Sequence, residues 1–316
     1  MSFALLTRLP AARAHQWQRL LSEELDGAPV LLGPPHGTPE EAARKQVEVL
    51  FVADPAPGTF GDWPAARFVQ CLWAGVDGLL ADSSLPPALP LARMKDPAFA
   101  ATMGETVATL VLSLHRQLHR YRAQAAIGLW RPLEQPRAGE RPVGILGTGE
   151  MGRQAARTLL ALGFQVAGWS RHGQPVQGVT IHQGEPGLAA ILAQSEILVN
   201  LLPLTAATHA LLDRKRLAQM PRGASLVNLG RGEHVVLPDL LAALDAGHLD
   251  HAVLDVFPDE PLPDDHPLWR HPGVTVLPHV AAVTDPRSAA PIAAANARSF
   301  LAGQPVDALV DRQLGY

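Results

Sequence analysis

From Phe3 to about Arg93, short apolar runs alternate with polar segments of helical spacing. Phe3-Ala4-Leu5-Leu6, Val30-Leu31-Leu32, Val47 to Val52 and Phe68 to Leu72 predict strands, and Ala11 to Leu25 predicts a helix between the first two. This is the pattern of a small α/β domain. Met103 to Arg122 places Val107, Leu110, Val111, Leu114 and Leu118 on one helical stripe and predicts one long connecting helix, with Arg131-Pro132-Leu133-Glu134-Gln135-Pro136 as a loop after it. A βαβ series follows: a strand at Val143-Gly144-Ile145-Leu146, a helix over Arg153 to Leu162, and a strand at Gln165 to Trp169. Four more strands are predicted at Ile197 to Leu201, Ser225 to Leu229, Ala252 to Val256 and Val274 to Leu277. Asp213 caps one intervening helix and Gly247 closes another, after Leu240 to Ala246. Six strands with helical crossovers predict a doubly wound parallel sheet, and Ser288 to Leu301 is a last helical segment before a polar tail. The chain holds no fixed-period repeat and no low-complexity stretch.

Composition narrows the class. A chain of 316 residues is long enough for two cores. Its 47% hydrophobic and 18% charged residues give the profile of a soluble globular protein. A net charge of −4 gives no reason to expect nucleic acid or an anionic membrane as a partner. The basic run His115 to Arg122 is expected to be the solvated face of a helix. The single Cys71 cannot form an internal disulfide, and its apolar surroundings predict a buried thiol in a reducing compartment. Arg8, Pro10 and Arg13 interrupt any signal-like apolar segment, and no stretch is read as approaching the roughly 18 apolar residues of a membrane span. A cytoplasmic location is the expectation.

Gly147-Thr148-Gly149-Glu150-Met151-Gly152 follows a strand and opens a helix, the setting in which such a glycine pattern binds a dinucleotide. Gly147 makes the tight turn, Gly149 lets a pyrophosphate approach backbone, and Gly152 lets helix and strand pack closely. The next strand ends Gly168-Trp169-Ser170-Arg171-His172, with no acidic residue to hold the ribose 2′-hydroxyl of NAD. A hydroxyl, a guanidinium and an imidazole instead suit a 2′-phosphate, so NADPH is expected over NADH.

Three polar residues follow successive strands: Arg231 after Ser225 to Leu229, Glu260 after Val253 to Val256, and His279 after Val274 to Leu277. The carboxyl ends of strands in an open α/β sheet line one crevice, so the three converge there. Reducing a 2-keto acid needs a cation for the carboxylate and an acid for the developing alkoxide. Arg231 supplies the first and His279 the second, with Glu260 holding the imidazole tautomer and Asp255 orienting a nicotinamide amide.

These motifs together resemble the D-2-hydroxyacid dehydrogenase family, nearest to its branch of glyoxylate and hydroxypyruvate reductases. The likeness runs nearly end to end, through Ala74-Gly75-Val76-Asp77, Met103-Gly104-Glu105, the glycine pattern, Asn200 to Thr205, Asn228 to Gly232, Leu254 to Pro261, Pro278 to Ala282 and the closing Val310 to Tyr316. It implies NADPH-dependent reduction of a small 2-keto acid, with Arg231, Glu260 and His279 as substrate arginine, supporting glutamate and acid/base histidine. Gly75 and Val76 would offer backbone N–H groups to the substrate. Cofactor contacts are implied at Met103, Gly147, Thr148, Gly149, Glu150, Met151, Gly152, Ser170, Arg171, Leu202, Pro203, Leu229, Gly230, Asp255 and Ala281, with no metal. The implied architecture is a Rossmann-type dinucleotide domain over residues 99–283 and a smaller flavodoxin-like substrate domain over residues 1–98 and 284–316, in a homodimer. Trp73 departs from the small residue usual there, and Ala53-Asp54 stands where a Trp-His pair is common, so Trp73 either narrows the substrate pocket or packs in the core. The alternatives are a dehydrogenase of another D-2-hydroxy acid and a dinucleotide-sensing protein without catalysis.

Overall fold

The computed structural model describes residues 2–171 and 175–315 and divides into two compact units, Met1–Phe99 with Thr284–Tyr316, and Ala100–Val283. His172 and Tyr316, both named in the sequence reading, lie outside the described residues.

The first unit runs β1 (Phe3–Thr7), α1 (Ala11–Glu24), β2 (Val30–Leu32), α2 (Glu41–Arg44), β3 (Val49–Ala53), β4 (Phe68–Cys71), α3 (Asp77–Ala81) and β5 (Leu91–Ala92). All pairings are parallel, in the order β2-β1-β3-β4-β5, which is the flavodoxin-like order. Every residue of β1 and β3 is buried, as central strands covered on both faces require, and this is why they appear as continuous apolar runs. The C-terminal helix Pro286–Leu301 returns to this sheet with Ala289, Ala290, Ala293, Ala294 and Ala297, whose small side chains allow a close approach to the Phe3, Phe51 and Phe68 face. Cys71 is a buried thiol on the opposite face. β5, only two residues long, shows no period in sequence and was not expected.

The second unit begins within α4 (Pro97–His115) and continues with α5 (Leu118–Ala126), β6 (Pro142–Leu146), α6 (Glu150–Ala161), β7 (Gln165–Trp169), β8 (Thr180–His182), α7 (Gly184–Gln194), β9 (Ile197–Asn200), α8 (Arg214–Leu217), β10 (Ala224–Asn228), α9 (Leu237–Asp245), β11 (Leu249–Leu254) and β12 (Val274–Val276). The C-terminal helix is α10. The sheet is parallel with order β12-β11-β10-β9-β6-β7-β8, a doubly wound Rossmann-type arrangement whose order reverses between β6 and β9. It has seven strands where six were expected, because β8 is a three-residue edge strand of mixed polarity. Asp213 caps α8 by accepting from Arg216 N at 2.9 Å.

Three expectations are corrected here. The long helix is broken at Gln117, whose φ of 59° ends α4 and starts α5. The basic run is not a solvated face throughout: His115 is buried against Phe164, and His119 and Arg120 both bond Asp250. Finally, α4 is long and apolar enough by length and composition to cross a membrane, where no such stretch was expected. Its Met103, Val107, Val111 and Leu114 pack with Ile145 and Val199 in the core, which accounts for the apolar stripe.

Candidate active site

The loop between β6 and α6 is shaped by glycine at three positions for three reasons. Gly147 has φ of 94°, and a Cβ there would stand 2.8 Å from Leu201 O. A Cβ at Gly152 would lie 1.9 Å from Gly147 O, so helix and loop could not approach. A Cβ at Gly149 would meet nothing within 4 Å, so the surface there is open to a ligand. Thr148 Oγ1 is buried with no hydrogen-bond partner, and α6, twelve residues long, presents its N-terminus beside it. An open backbone, an orphaned hydroxyl and a helix N-terminus fit a dinucleotide pyrophosphate. Glu150 occupies the first turn of α6, with Oε2 also buried and unpartnered.

Ser170 and Arg171 follow β7, where Ser170 N donates to His182 O at 3.2 Å and Arg171 is exposed. Trp169 is anchored through Nε1 to Gly184 O at 2.9 Å, which fixes the end of this strand. Met103, Leu202, Leu229 and Ala281 have buried side chains, and Met151 is half-buried. The backbone N–H groups of Leu202, Leu229 and Ala281 are already engaged by Asn200 Oδ1, Asn200 O and Asp255 Oδ2, so these residues frame the crevice.

At the carboxyl ends of β11 and β12, one carboxylate organises the next loop. Asp255, 1% exposed, accepts Val280 N at 2.8 Å and Ala281 N at 3.0 Å, while its own carbonyl accepts His279 N at 2.9 Å. Burial pushes its carboxyl above the ordinary value, against the pull of the two N–H groups. His279 is held at φ of 53°, a left-handed conformation rare for a non-glycine residue, and these three bonds stabilise it there. Its Nδ1 lies 2.7 Å from Glu260 Oε2, and Glu260 Oε1 accepts Phe257 N at 2.9 Å. The pair is half open, with side-chain exposures of 50% and 34%.

Arg231 stands after β10, the strand between β9 and β11, with Nη1 donating to Gly230 O at 2.8 Å. Both of its backbone groups are held by buried side chains that the sequence reading did not single out for a role. His234 Nδ1 accepts Arg231 N at 3.1 Å, and Asn228 Nδ2 donates to Arg231 O at 2.9 Å. Asn200 Nδ2 donates to both Asn228 Oδ1 and His234 Nδ1 at 2.8 Å. The available signal was an asparagine closing each of two apolar strands, Ile197 to Asn200 and Ala224 to Asn228. Gly230 is required in this corner, since a Cβ would stand 2.9 Å from Leu202 O and 3.0 Å from His234 Nδ1. Among the described residues, no group of three or more His, Cys, Asp or Glu side chains is placed to hold a metal ion.

The remaining candidates belong to the other unit and are described within it. Gly75 lies in the loop between β4 and α3, where its carbonyl accepts Cys71 Sγ at 3.8 Å, and Val76 is the buried N-cap of α3. Trp73 is partly buried against the apolar clusters on both faces of the five-stranded sheet, and its carbonyl accepts Met94 N at 2.9 Å.

A family model described as D-isomer specific 2-hydroxyacid dehydrogenase, NAD binding domain, matches residues 108–281. The chain is 37% identical, over 99% of its length and 94% of the relative's, to a glyoxylate/hydroxypyruvate reductase A of Yersinia enterocolitica. It is 38% identical to the protein of that name from Salmonella typhi, over 99% and 95% of the two chains. Among solved structures, it is similar to a D-isomer specific 2-hydroxyacid dehydrogenase from Xanthobacter autotrophicus Py2 in complex with NADPH and MES, with TM-score 0.94, 37% identity and full coverage of both chains. An NADPH-dependent glyoxylate/hydroxypyruvate reductase from Sinorhizobium meliloti, in complex with NADP and sulfate, matches with TM-score 0.91 and 34% identity, again over all of both chains.

Proposed function

Because the chain belongs to the D-isomer specific 2-hydroxyacid dehydrogenase family, we propose that it reduces small 2-keto acids, glyoxylate or hydroxypyruvate, to 2-hydroxy acids with NADPH. The observation that carries this reading is the Glu260–His279 pair, 2.7 Å apart and half open, beyond the carboxyl ends of β11 and β12, the two strands that follow β10 in the sheet, with Arg231 just after β10.

Arg231 offers a permanently charged planar fork to the substrate carboxylate. With Nδ1 facing Glu260, His279 presents Nε2 outward, and a proton there passes to the carbonyl oxygen as it becomes an alkoxide. Gly147 to Gly152 would hold the dinucleotide, which when bound would supply the hydride. Reduction therefore needs protonated His279 and the reverse oxidation the neutral form. Gly75 and Val76 are read as backbone donors to the substrate carboxylate, and residues 1–98 with 284–316 as the substrate domain. NADPH is supported by Ser170 and Arg171 after β7 and by the cofactors named for the two similar structures. A homodimer and a cytoplasmic location belong to the same reading, supported by family likeness and by the single buried thiol.

A panel of 2-keto acids assayed with both cofactors tests it. Expected are turnover of glyoxylate or hydroxypyruvate, a higher kcat/KM with NADPH, and a shift towards NADH in Arg171→Asp. Preference of the wild type for NADH would remove the cofactor assignment, and absence of turnover across the panel would favour a dinucleotide sensor.

A further inference from the structure

We propose that His234 is a positioning residue for the reaction, a neutral imidazole protonated at Nε2 that fixes the direction of Arg231 and ties its loop to the turn after β9. This rests on the reading of Arg231 as the substrate-carboxylate residue. His234 is fully buried, so its bonds are made without water. The tautomer follows from its partners. The Arg231 backbone N–H has no lone pair and lies 3.1 Å from Nδ1, so Nδ1 accepts and carries no proton. Nε2, 3.2 Å from Pro203 O, must then be the protonated nitrogen that donates to it.

The surrounding amides agree with this assignment. Asn200 uses its NH2 on Asn228 Oδ1 and on His234 Nδ1, while its oxygen accepts Leu202 N at 3.3 Å. Asn228 returns its own NH2 to Arg231 O at 2.9 Å. With both backbone groups of Arg231 held, its Cα–Cβ direction is set before substrate arrives. Losing Nδ1 as acceptor releases the Arg231 N–H and the Asn200 NH2, whereas losing Nε2 releases the bond to Pro203 O.

Two substitutions separate the halves. In His234→Asn the side-chain oxygen falls near the Nδ1 position, and in His234→Gln the side-chain amide falls near Nε2. Expected for His234→Ala is a tenfold or larger rise in KM for glyoxylate, a smaller fall in kcat, and an NADPH Kd within about threefold of wild type by nucleotide fluorescence. His234→Asn should recover most of the KM, and His234→Gln should not. A KM in His234→Ala within twofold of wild type, or equal KM in the Ala and Asn variants, overturns the proposal. Should the variants fail to fold, long-range 1H–15N correlation on histidine-labelled wild type decides it, because a protonated Nδ1 at His234 near neutral pH contradicts the clamp. A wild type without keto-acid turnover defeats the reading of the activity, while the nitrogen spectrum still reports separately on the clamp.

Discussion

At the start of β11, Asp250 accepts His119 Nε2 at 2.9 Å and Arg120 Nη2 at 2.5 Å, and the His119 ring stacks on His251 with centroids 4.4 Å apart. Where the same strand ends, Asp255 bonds backbone N–H groups, and the nearby Glu260–His279 pair stays half open. Both ends draw a carboxylate out of bulk water, Asp250 in part and Asp255 fully, but the partners differ in kind. At the entry end, side-chain donors of His119 and Arg120 engage the carboxylate and join α5 to the sheet. At the exit end, the buried carboxylate holds the His279 loop in a left-handed shape, and the pair that His279 makes with Glu260 remains accessible. On the proposed function, the two ends of such strands take different tasks, stability at the amino ends and ligand chemistry at the carboxyl ends.

The largest effect that would sharpen this contrast is on catalysis. His279→Ala should lower kcat/KM for keto-acid reduction by about 10²- to 10⁴-fold while leaving the melting temperature nearly unchanged, since half of the side chain is exposed. Glu260→Gln should cost less, because the amide still accepts from Phe257 N. A His279→Ala enzyme with near wild-type rates in both directions would remove the acid/base assignment.

The exit end was far more legible in the sequence than the entry end. Gly147 to Gly152, Arg231, Glu260 and His279 each follow an apolar strand, and strands buried on both faces stand out as apolar runs. Short edge strands such as β5 and β8 carry too few residues to show a period. The entry-end cluster was hidden because His119 and Arg120 lie in a basic run far in sequence from Asp250, with which they pair. His234 was hidden for a related reason: its role depends on asparagines ending two other strands, and only the fold brings the three together.

The entry end should announce itself in stability against pH. Burial first, then the charge of His119 and His271, pushes the His251 imidazole down to about 4, against the opposing pull of Asp250. The unfolded chain therefore binds a proton that the folded chain refuses between the ordinary value near 6.5 and about 4. Stability from this group is fully present above that window and is lost as pH falls through it, by about 3 kcal/mol in all. Urea unfolding across the range should show this slope in the wild type and a much flatter one in His251→Gln. An unchanged slope would mean that other histidines carry it.

Asp250 should give a smaller effect at lower pH. Burial pushes its carboxyl up, but hydrogen bonds from His119 and Arg120, with the guanidinium charge, outweigh that and hold it at about 2. Its stabilising contribution is present above the ordinary 3.8 and is lost as pH falls towards about 2, worth about 2 kcal/mol. Asp250→Asn should lose about that much at neutral pH while keeping keto-acid turnover. Loss of turnover without loss of stability would erase the division between the strand ends.

Glu150 is where the division is least clean, because a charge suited to stability sits at the ligand end of the sheet. In the first turn of α6 its carboxylate interacts favourably with the helix N-terminus, worth about 0.3–1 kcal/mol. The same position faces the loop that fits a pyrophosphate, where a second negative charge opposes the phosphates. Glu150→Gln should therefore lower stability slightly and tighten NADPH binding by about two- to fivefold at low salt, with the gain shrinking as salt screens it. Fluorescence titration with NADPH at two salt concentrations measures both signs. Weaker binding in Glu150→Gln would instead make the carboxylate an acceptor for the cofactor, and its buried, unpartnered Oε2 would then be the atom that receives the bond.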